Sequence, residues 1–260
     1  LSRSIGSPQL GELDPFLLLD EFNSEEGADY VAGFPDHPHR GFETVTYMIH
    51  GAMRHEDSKG ESGSLVSGGV QWMTAGRGIV HSEMPEQRDG LMQGFQLWVN
   101  LPARDKMCEP RYQNIEPEDV PEVLREDGVK IRVVAGEAEG VRGAVQGIAV
   151  EPTYLDIIMP AGTTVELPVA EGHAAFCYVF EGEALAGATD EGAGAAVAAG
   201  HLAVLGDGEA VRVRAATSSA RLLLVAGRPL NEPIVRYGPF VMNTKDEILQ
   251  AVRDFQSGQF

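Results

Sequence analysis

The chain has 260 residues, 43% of them hydrophobic, and a formal net charge of −19 from 39 acidic and 20 basic side chains. This length and apolar content fit one large or two ordinary domains with a real core, and exclude a disordered tail or a stapled miniprotein. The acidity excludes tight direct binding to nucleic acid or an anionic membrane, because phosphate contacts need clustered lysine and arginine.

Short strands broken by glycine run along most of the chain. They are expected at Thr44 to Ile49, Val70 to Thr74, Phe95 to Leu101, Ile131 to Ala135, Ala174 to Phe180, Leu202 to Leu205, Val211 to Arg214 and Leu222 to Ala226. Such spacing favours sandwiches or barrels, so the fold class is all-β. Two helices are expected. One is short and acidic, near Pro117 to Arg125; the other runs from Lys245 to Phe255, capped by Asn243 or Thr244, with Ile248, Leu249, Val252 and Phe255 on one face.

Sliding the chain by 131 residues lays Tyr47 on Tyr178, Gly51 on Gly182, and the run from Gly69 to Met73 on the run from Gly200 to Val204. Duplication explains this best, and two tandem β-barrels follow. The expected division is 1–115 for the first barrel, 128–240 for the second, and 241–260 for a terminal helix packing back on the barrels and clasping them together. Cys108 and Cys177 form no CxxC pair, which points to a reducing, cytoplasmic setting without disulfides or a thiolate zinc site. No apolar run is long enough to span a bilayer, and the chain opens at Leu1, which leaves a trimmed leader or missing residues open.

Three of the seven histidines lie in two short motifs, His37-Pro-His39 and His81-Ser-Glu83, the second behind the glycine turn of Gly76 and Gly78. Residues two apart on a strand point to the same face, about 7 Å apart. Two such strands facing each other would gather three imidazoles and one carboxylate, a set that suits iron, manganese, nickel, copper or zinc. Glu43 is a rival fourth donor, since 37, 39, 41 and 43 share parity. A regular strand would carry it about 10 Å from a metal at His37 and His39, whereas Glu83 adjoins His81 on the same face; a bulge at Gly41 would be needed to bring Glu43 in.

His50 and His55 flank a hairpin beside charged residues and read as solvated. The offset carries His37, His39, His81 and Glu83 onto Pro168, Ala170, Arg212 and Arg214, and no His-x-His or His-x-Glu follows residue 83, so His173 and His201 are not expected to make a second site. Trp72 and Trp98 read as core, with an aromatic at a metal mouth as the alternative. Gly76 and Gly78 lack the following lysine and helix of a phosphate loop and read as a tight turn presenting His81.

With these motifs in place the chain closely resembles the pirin family of the cupin superfamily. The matching runs are Leu13 to Glu21, Phe34-Pro-Asp-His-Pro-His-Arg-Gly-Phe-Glu-Thr44, Gln71-Trp-Met-Thr-Ala-Gly-Arg-Gly-Ile-Val-His-Ser-Glu83, Leu97 to Leu101 and Gly238-Pro-Phe-Val-Met-Asn-Thr244. The resemblance implies a bicupin with metal in the amino-terminal barrel only, held as Fe(II) by His37, His39, His81 and Glu83. It implies two alternative jobs: a quercetin 2,3-dioxygenase acting on a flavonol and O2, or, as in eukaryotic members, a nuclear iron-dependent co-regulator binding a transcription factor. A cupin that binds metal without physiological turnover is a third. In the enzyme, Glu83 would serve as both ligand and catalytic base. A monomer is expected. The chain departs from the family in its acidity and in the Ala/Gly-rich stretch from Gly182 to Gly200, where the family's partner-facing surface is not expected to carry over.

Overall fold

Ten strands lie between Ser2 and Ile115 in the computed structural model, which describes residues 1–187 and 194–260. They are β1 (Ser2–Ile5), β2 (Phe16–Ser24), β3 (Phe34–His39), β4 (Phe42–His50), β5 (Ala52–Asp57), β6 (Ser62–Val66), β7 (Val70–Thr74), β8 (Ile79–Pro85), β9 (Met92–Asn100) and β10 (Arg111–Ile115). Hydrogen bonding orders them β1-β2-β9-β4-β7-β10 in one sheet and β3-β8-β5-β6 in another. The two sheets meet through their inner faces. Met48 of β4 and Met92 of β9 pack with Met53 of β5 and Leu65 of β6, and Phe22 of β2 joins them. A four-residue helix, α1 (Gly27–Tyr30), lies between β2 and β3.

Residues 118–229 form a second compact unit, while 1–117 and 230–260 form the first. The second unit repeats the plan of the first. Its larger sheet runs Glu122–Leu124, Lys130–Ala135, Thr153–Met159, Ala220–Gly227, Ala174–Glu181, His201–Val204; its smaller one runs Thr164–Pro168, Ala210–Ala215, Glu183–Ala186, Ala195–Ala198. At the 131-residue offset Phe42–His50 falls on Ala174–Glu181 and Ile79–Pro85 on Ala210–Ala215, so duplicated strands take equivalent places. The core of this unit is aliphatic, with Val133, Leu155, Ile157, Leu222 and Leu224 all buried. Residues 188–193, inside the Ala/Gly-rich stretch, lie outside the described residues.

The expected acidic helix does not form. Pro117–Asp119 makes one 3-10 turn and Glu122–Leu124 is a strand paired with Lys130–Ala135. Pro121 lacks an N–H and blocks a further helical turn, and the Glu122 carboxylate instead reaches across the sheet to Lys130 (2.8 Å) and Arg132 (3.0 Å).

Helix α2 (Lys245–Gln256) does form, closed by a capping box in which the Thr244 hydroxyl accepts from the Glu247 amide and the Glu247 carboxylate accepts from the Thr244 amide. It packs within the first unit, on the hairpin Val235–Tyr237 and Phe240–Met242. Its seated residues are Ile248 and Ala251, with Val252 partly buried; Leu249, expected on that face, is exposed. Asn243 is not the cap, since its side chain donates to Glu232 and Pro233. Among the described residues no helix is long and apolar enough to cross a membrane. Cys108 and Cys177 are both free thiols, and burial pushes Cys177 up to about 12, which leaves it inert.

Candidate metal centre

The two histidine motifs sit on adjacent strands of one sheet. They do not face each other across the barrel, as spacing alone suggests. β3 and β8 are antiparallel neighbours with His37 directly opposite His81 and His39 opposite Ile79, after an irregularity between Phe34 and His37. Side-by-side pairing of that register turns all three rings to one side. Ring centroids lie 4.7 Å apart for His37 and His39, 4.5 Å for His37 and His81, and 5.0 Å for His39 and His81.

The turns that deliver these strands need glycine. Gly41, at φ +87°, ends β3 two residues after His39, and a Cβ there would lie 2.0 Å from the Val241 carbonyl oxygen. Gly78, at φ +141°, precedes β8, and a Cβ there would press on the Phe260 ring at 2.9 Å. An L side chain is strained in both conformations, so the turn reading of Gly78 holds.

The neighbours of the histidines are pinned from the far end of the chain. Arg40, beside His39, is buried, pairs with Asp254 of α2 at 2.7 Å and lies 4.3 Å from the centroid of the Phe260 ring; its Nε donates to the Arg77 carbonyl. Lys106 is 1% exposed and donates to the carbonyls of Gly41 (2.7 Å) and Val241 (3.0 Å) and to Asn100 Oδ1 (2.7 Å). Burial lowers its pKa to about 8, against the raising pull of Glu232 and Glu247.

The three imidazoles are prepared for a cation. Both ring nitrogens of His39 and both of His81 are buried without a hydrogen-bond partner, and each such orphan costs about 1–3 kcal/mol if nothing meets it. His37 Nδ1 bonds the Pro35 carbonyl at 2.8 Å, which leaves Nε2 free to point inward. Burial drives the His39 pKa well below its ordinary value, and burial lowers His81 to about 4 despite the adjacent Glu83. Both rings are therefore neutral at neutral pH, the form that ligates metal. The three rings offer donor atoms within 4.8 Å of one another, a group that could hold a metal ion, and among the described residues no other set of His, Cys, Asp or Glu does so. In the second unit the places equivalent to Glu83 and His81 hold Arg214 and Arg212, the latter paired with Glu166, and His173 and His201 stand apart from any such group.

Glu83 follows His81 on the inward face of β8 and is 3% exposed. It is not among the atoms gathered within 4.8 Å. Its Oε1 accepts from Thr46 Oγ1 and its Oε2 from Gln96 Nε2, each at 2.9 Å. Both donors come from the opposite sheet, where Thr46 and Gln96 are cross-strand partners on β4 and β9. Two neutral donors leave the buried carboxylate without a balancing charge, and a bound cation would provide one. Glu43 takes no part. On β4 the even-numbered Phe42 and Thr46 face the site, so Glu43 faces away and accepts from the Thr74 hydroxyl at 2.6 Å; burial raises its pKa.

His55 is the residue that reading in sequence misjudged. It is buried at 5% exposure, directly across from Glu83 in the β5–β8 pairing, and stacked on Tyr112 at 5.7 Å. Its parity with Met53 on β5 was the available signal. His50 is exposed as expected. Trp72 is core, but Trp98 touches the site, its indole edge-on to His39 at 5.4 Å. Thr46 and Gln96 drew no attention in sequence, because nothing local marks a threonine or glutamine that answers to another sheet.

Beside the carboxylate is a chamber of about 30 Å³ lined by Asp20, Phe22, Phe34, Thr46, Met53, Glu83 and Gln96. Through Phe22, Phe34 and Met53 it shares walls with a larger cavity of about 470 Å³ that reaches Tyr30, Pro85 and Met92. A cavity of that size suits a small organic ligand.

Family comparison agrees with the geometry. The Pirin family model matches residues 1–99, and the Pirin C-terminal cupin domain matches residues 154–260. The chain belongs to the pirin family. A pirin-like protein of Caulobacter vibrioides is 50% identical over 261 residues, covering 100% of this chain and 92% of its own. Human pirin is 45% identical over 260 residues, covering 99% of this chain and 86% of its own. The solved structure of a quercetin 2,3-dioxygenase from Acinetobacter baumannii matches with a TM-score of 0.85 and 39% identity over 95% of this chain and 86% of that one. The pirin fold is thus two cupin barrels, each a six-stranded sheet set with a four-stranded one.

Proposed function

We propose that the chain is an iron-dependent dioxygenase that opens the central ring of a flavonol, with Fe(II) held by His37, His39 and His81 and with Glu83 as fourth donor and catalytic base. The observation that carries this reading is the convergence of three imidazoles, four of whose nitrogens are buried and unpartnered, beside a carboxylate lining a small chamber that shares walls with a ligand-sized cavity. The solved quercetin 2,3-dioxygenase of the same family supports the choice of substrate class. Manganese, nickel, copper or zinc would also suit the donor set.

Bound iron supplies a Lewis acid for the substrate hydroxyl and a route for electrons from substrate to O2. The protein's own part is to orient and deprotonate. Phe22, Phe34 and Met53 line both the small chamber and the larger cavity, an apolar surface on which an aromatic ring system would pack beside Glu83. The flavonol 3-hydroxyl gives its proton to Glu83 Oε1, where the Thr46 hydroxyl can rotate from donating to accepting. Burial of the site keeps bulk water from competing for that proton.

The test compares wild type with Glu83→Gln after anaerobic iron loading, measuring iron content, flavonol absorbance and carbon monoxide. Wild type should consume flavonol with oxygen, and Glu83→Gln should keep iron, more weakly, while losing 100-fold or more of turnover per bound iron. Equal turnover per iron in both preparations removes the base assignment. Wild-type turnover no higher than that of free iron removes the enzyme reading and leaves a metal-binding protein that acts through a partner.

A further inference from the structure

We propose that Gln96 is the positioning residue for the Glu83 carboxylate and that Trp98 sets the direction in which Gln96 acts. This rests on the reading of Glu83 as a metal donor. Gln96 and Trp98 are two apart on β9 and therefore share its inward face. Trp98 Nε1 donates to Gln96 Oε1 at 3.2 Å, and Gln96 Nε2 donates to Glu83 Oε2 at 2.9 Å.

An indole N–H is a donor only, and an ionised carboxylate is an acceptor only. The amide between them has one arrangement that satisfies both: carbonyl toward Trp98, NH2 toward Glu83. A reversed amide sets its carbonyl against the carboxylate and its NH2 against the indole N–H, losing both bonds. The indole is itself packed against three side chains. Its ring lies 4.4 Å from Phe42 and 5.4 Å from His39, with the Arg236 guanidinium 4.6 Å over it.

Trp98 thus bears on two proposed donors, on His39 by contact and on Glu83 through Gln96. With Oε2 held by Gln96 and Oε1 by Thr46, the plane of the carboxylate is fixed before any metal arrives. A prepared ligand gives up less conformational freedom on binding, and loss of such an outer partner costs metal affinity about 10- to 100-fold.

The experiment is a double-mutant cycle read by cobalt(II) affinity, taken from the ligand-field absorbance of the full chain, so that no turnover is required. Gln96→Met keeps the shape of the side chain and removes the donor; Trp98→Phe keeps most of the ring and removes the N–H. Gln96→Met should weaken cobalt binding about 10-fold or more, and Trp98→Phe should weaken it several-fold in the wild-type background but not further in Gln96→Met. Packing lost with the indole appears in both backgrounds and cancels. Fully additive effects overturn the proposal, as does a Gln96→Met protein that binds cobalt like wild type. If Gln96→Met does not fold, Gln96→Leu, which likewise lacks the donor, replaces it, and cobalt binding as tight as in wild type overturns the proposal. Absence of cobalt binding in wild type is a separate result that removes the metal reading, and this inference with it.

Discussion

Replacing Lys106 with methionine should change how stability depends on pH. The Lys106 ammonium is 1% exposed and meets only neutral oxygens, those of Gly41, Val241 and Asn100. Burial moves its pKa from 10.5 to about 8. Below pH 8 both folded and unfolded chains carry the proton, and the folded state bears the full cost of burying the charge. Between pH 8 and 10.5 the folded chain has released the proton and the unfolded chain has not, so stability rises with pH across that window. The displacement corresponds to about 3 kcal/mol. A pKa shift already contains any hydrogen bonding lost on deprotonation, so a gain of about 3 kcal/mol should separate wild type from Lys106→Met between pH 7 and 10.5. Urea unfolding followed by fluorescence at several pH values measures it, and tyrosines common to both proteins cancel in the difference. Parallel pH profiles would refute the reasoning.

Elemental analysis of chelator-washed, reloaded protein should find one metal per chain; His81→Ala should abolish loading, while His173→Ala and His201→Ala should not. Asp254→Asn leaves the Arg40 guanidinium buried beside His39 without its counter-charge, and should lower stability by about 3 kcal/mol in denaturant titration. Thr244→Ala breaks the capping box of α2, and should cost about 1 kcal/mol by the same measure. Gly41→Ala drives a methyl group into the Val241 carbonyl, and should lower both the melting temperature and metal content.

Strands were the most legible feature of the sequence. Glycine breaks and short β-branched runs such as Thr44 to Ile49 mark them, and an internal repeat revealed their equivalence. The three histidines were legible for a similar reason, since two-residue spacing dictates a shared face whatever the surroundings. What spacing cannot state is which strands are neighbours. His37-Pro-His39 and His81-Ser-Glu83 were therefore assigned to opposed strands, although register places them side by side. The same blindness hid His55, Thr46 and Gln96, whose roles come from pairing and from the opposite sheet. On α2, periodicity put Leu249 on the packed face, but the hairpin below it is narrow and seats Ile248 and Ala251 instead. Near residue 120, acidic composition suggested a helix and outweighed the veto of Pro121.

The contact between Arg40 and Asp254 joins residues 214 positions apart, and the whole second unit is spelled out between them. On the ribosome, residues 118–229 are therefore complete before the first unit can be. Arg40, the immediate neighbour of His39, waits for its partner until Asp254 has been made, and the Phe260 ring beside Gly78 comes later still. Metal placed in the histidine cluster during translation would meet a site whose floor is still missing. A product stalled before residue 254 would carry an intact HxH and HxE pair in an unfinished barrel.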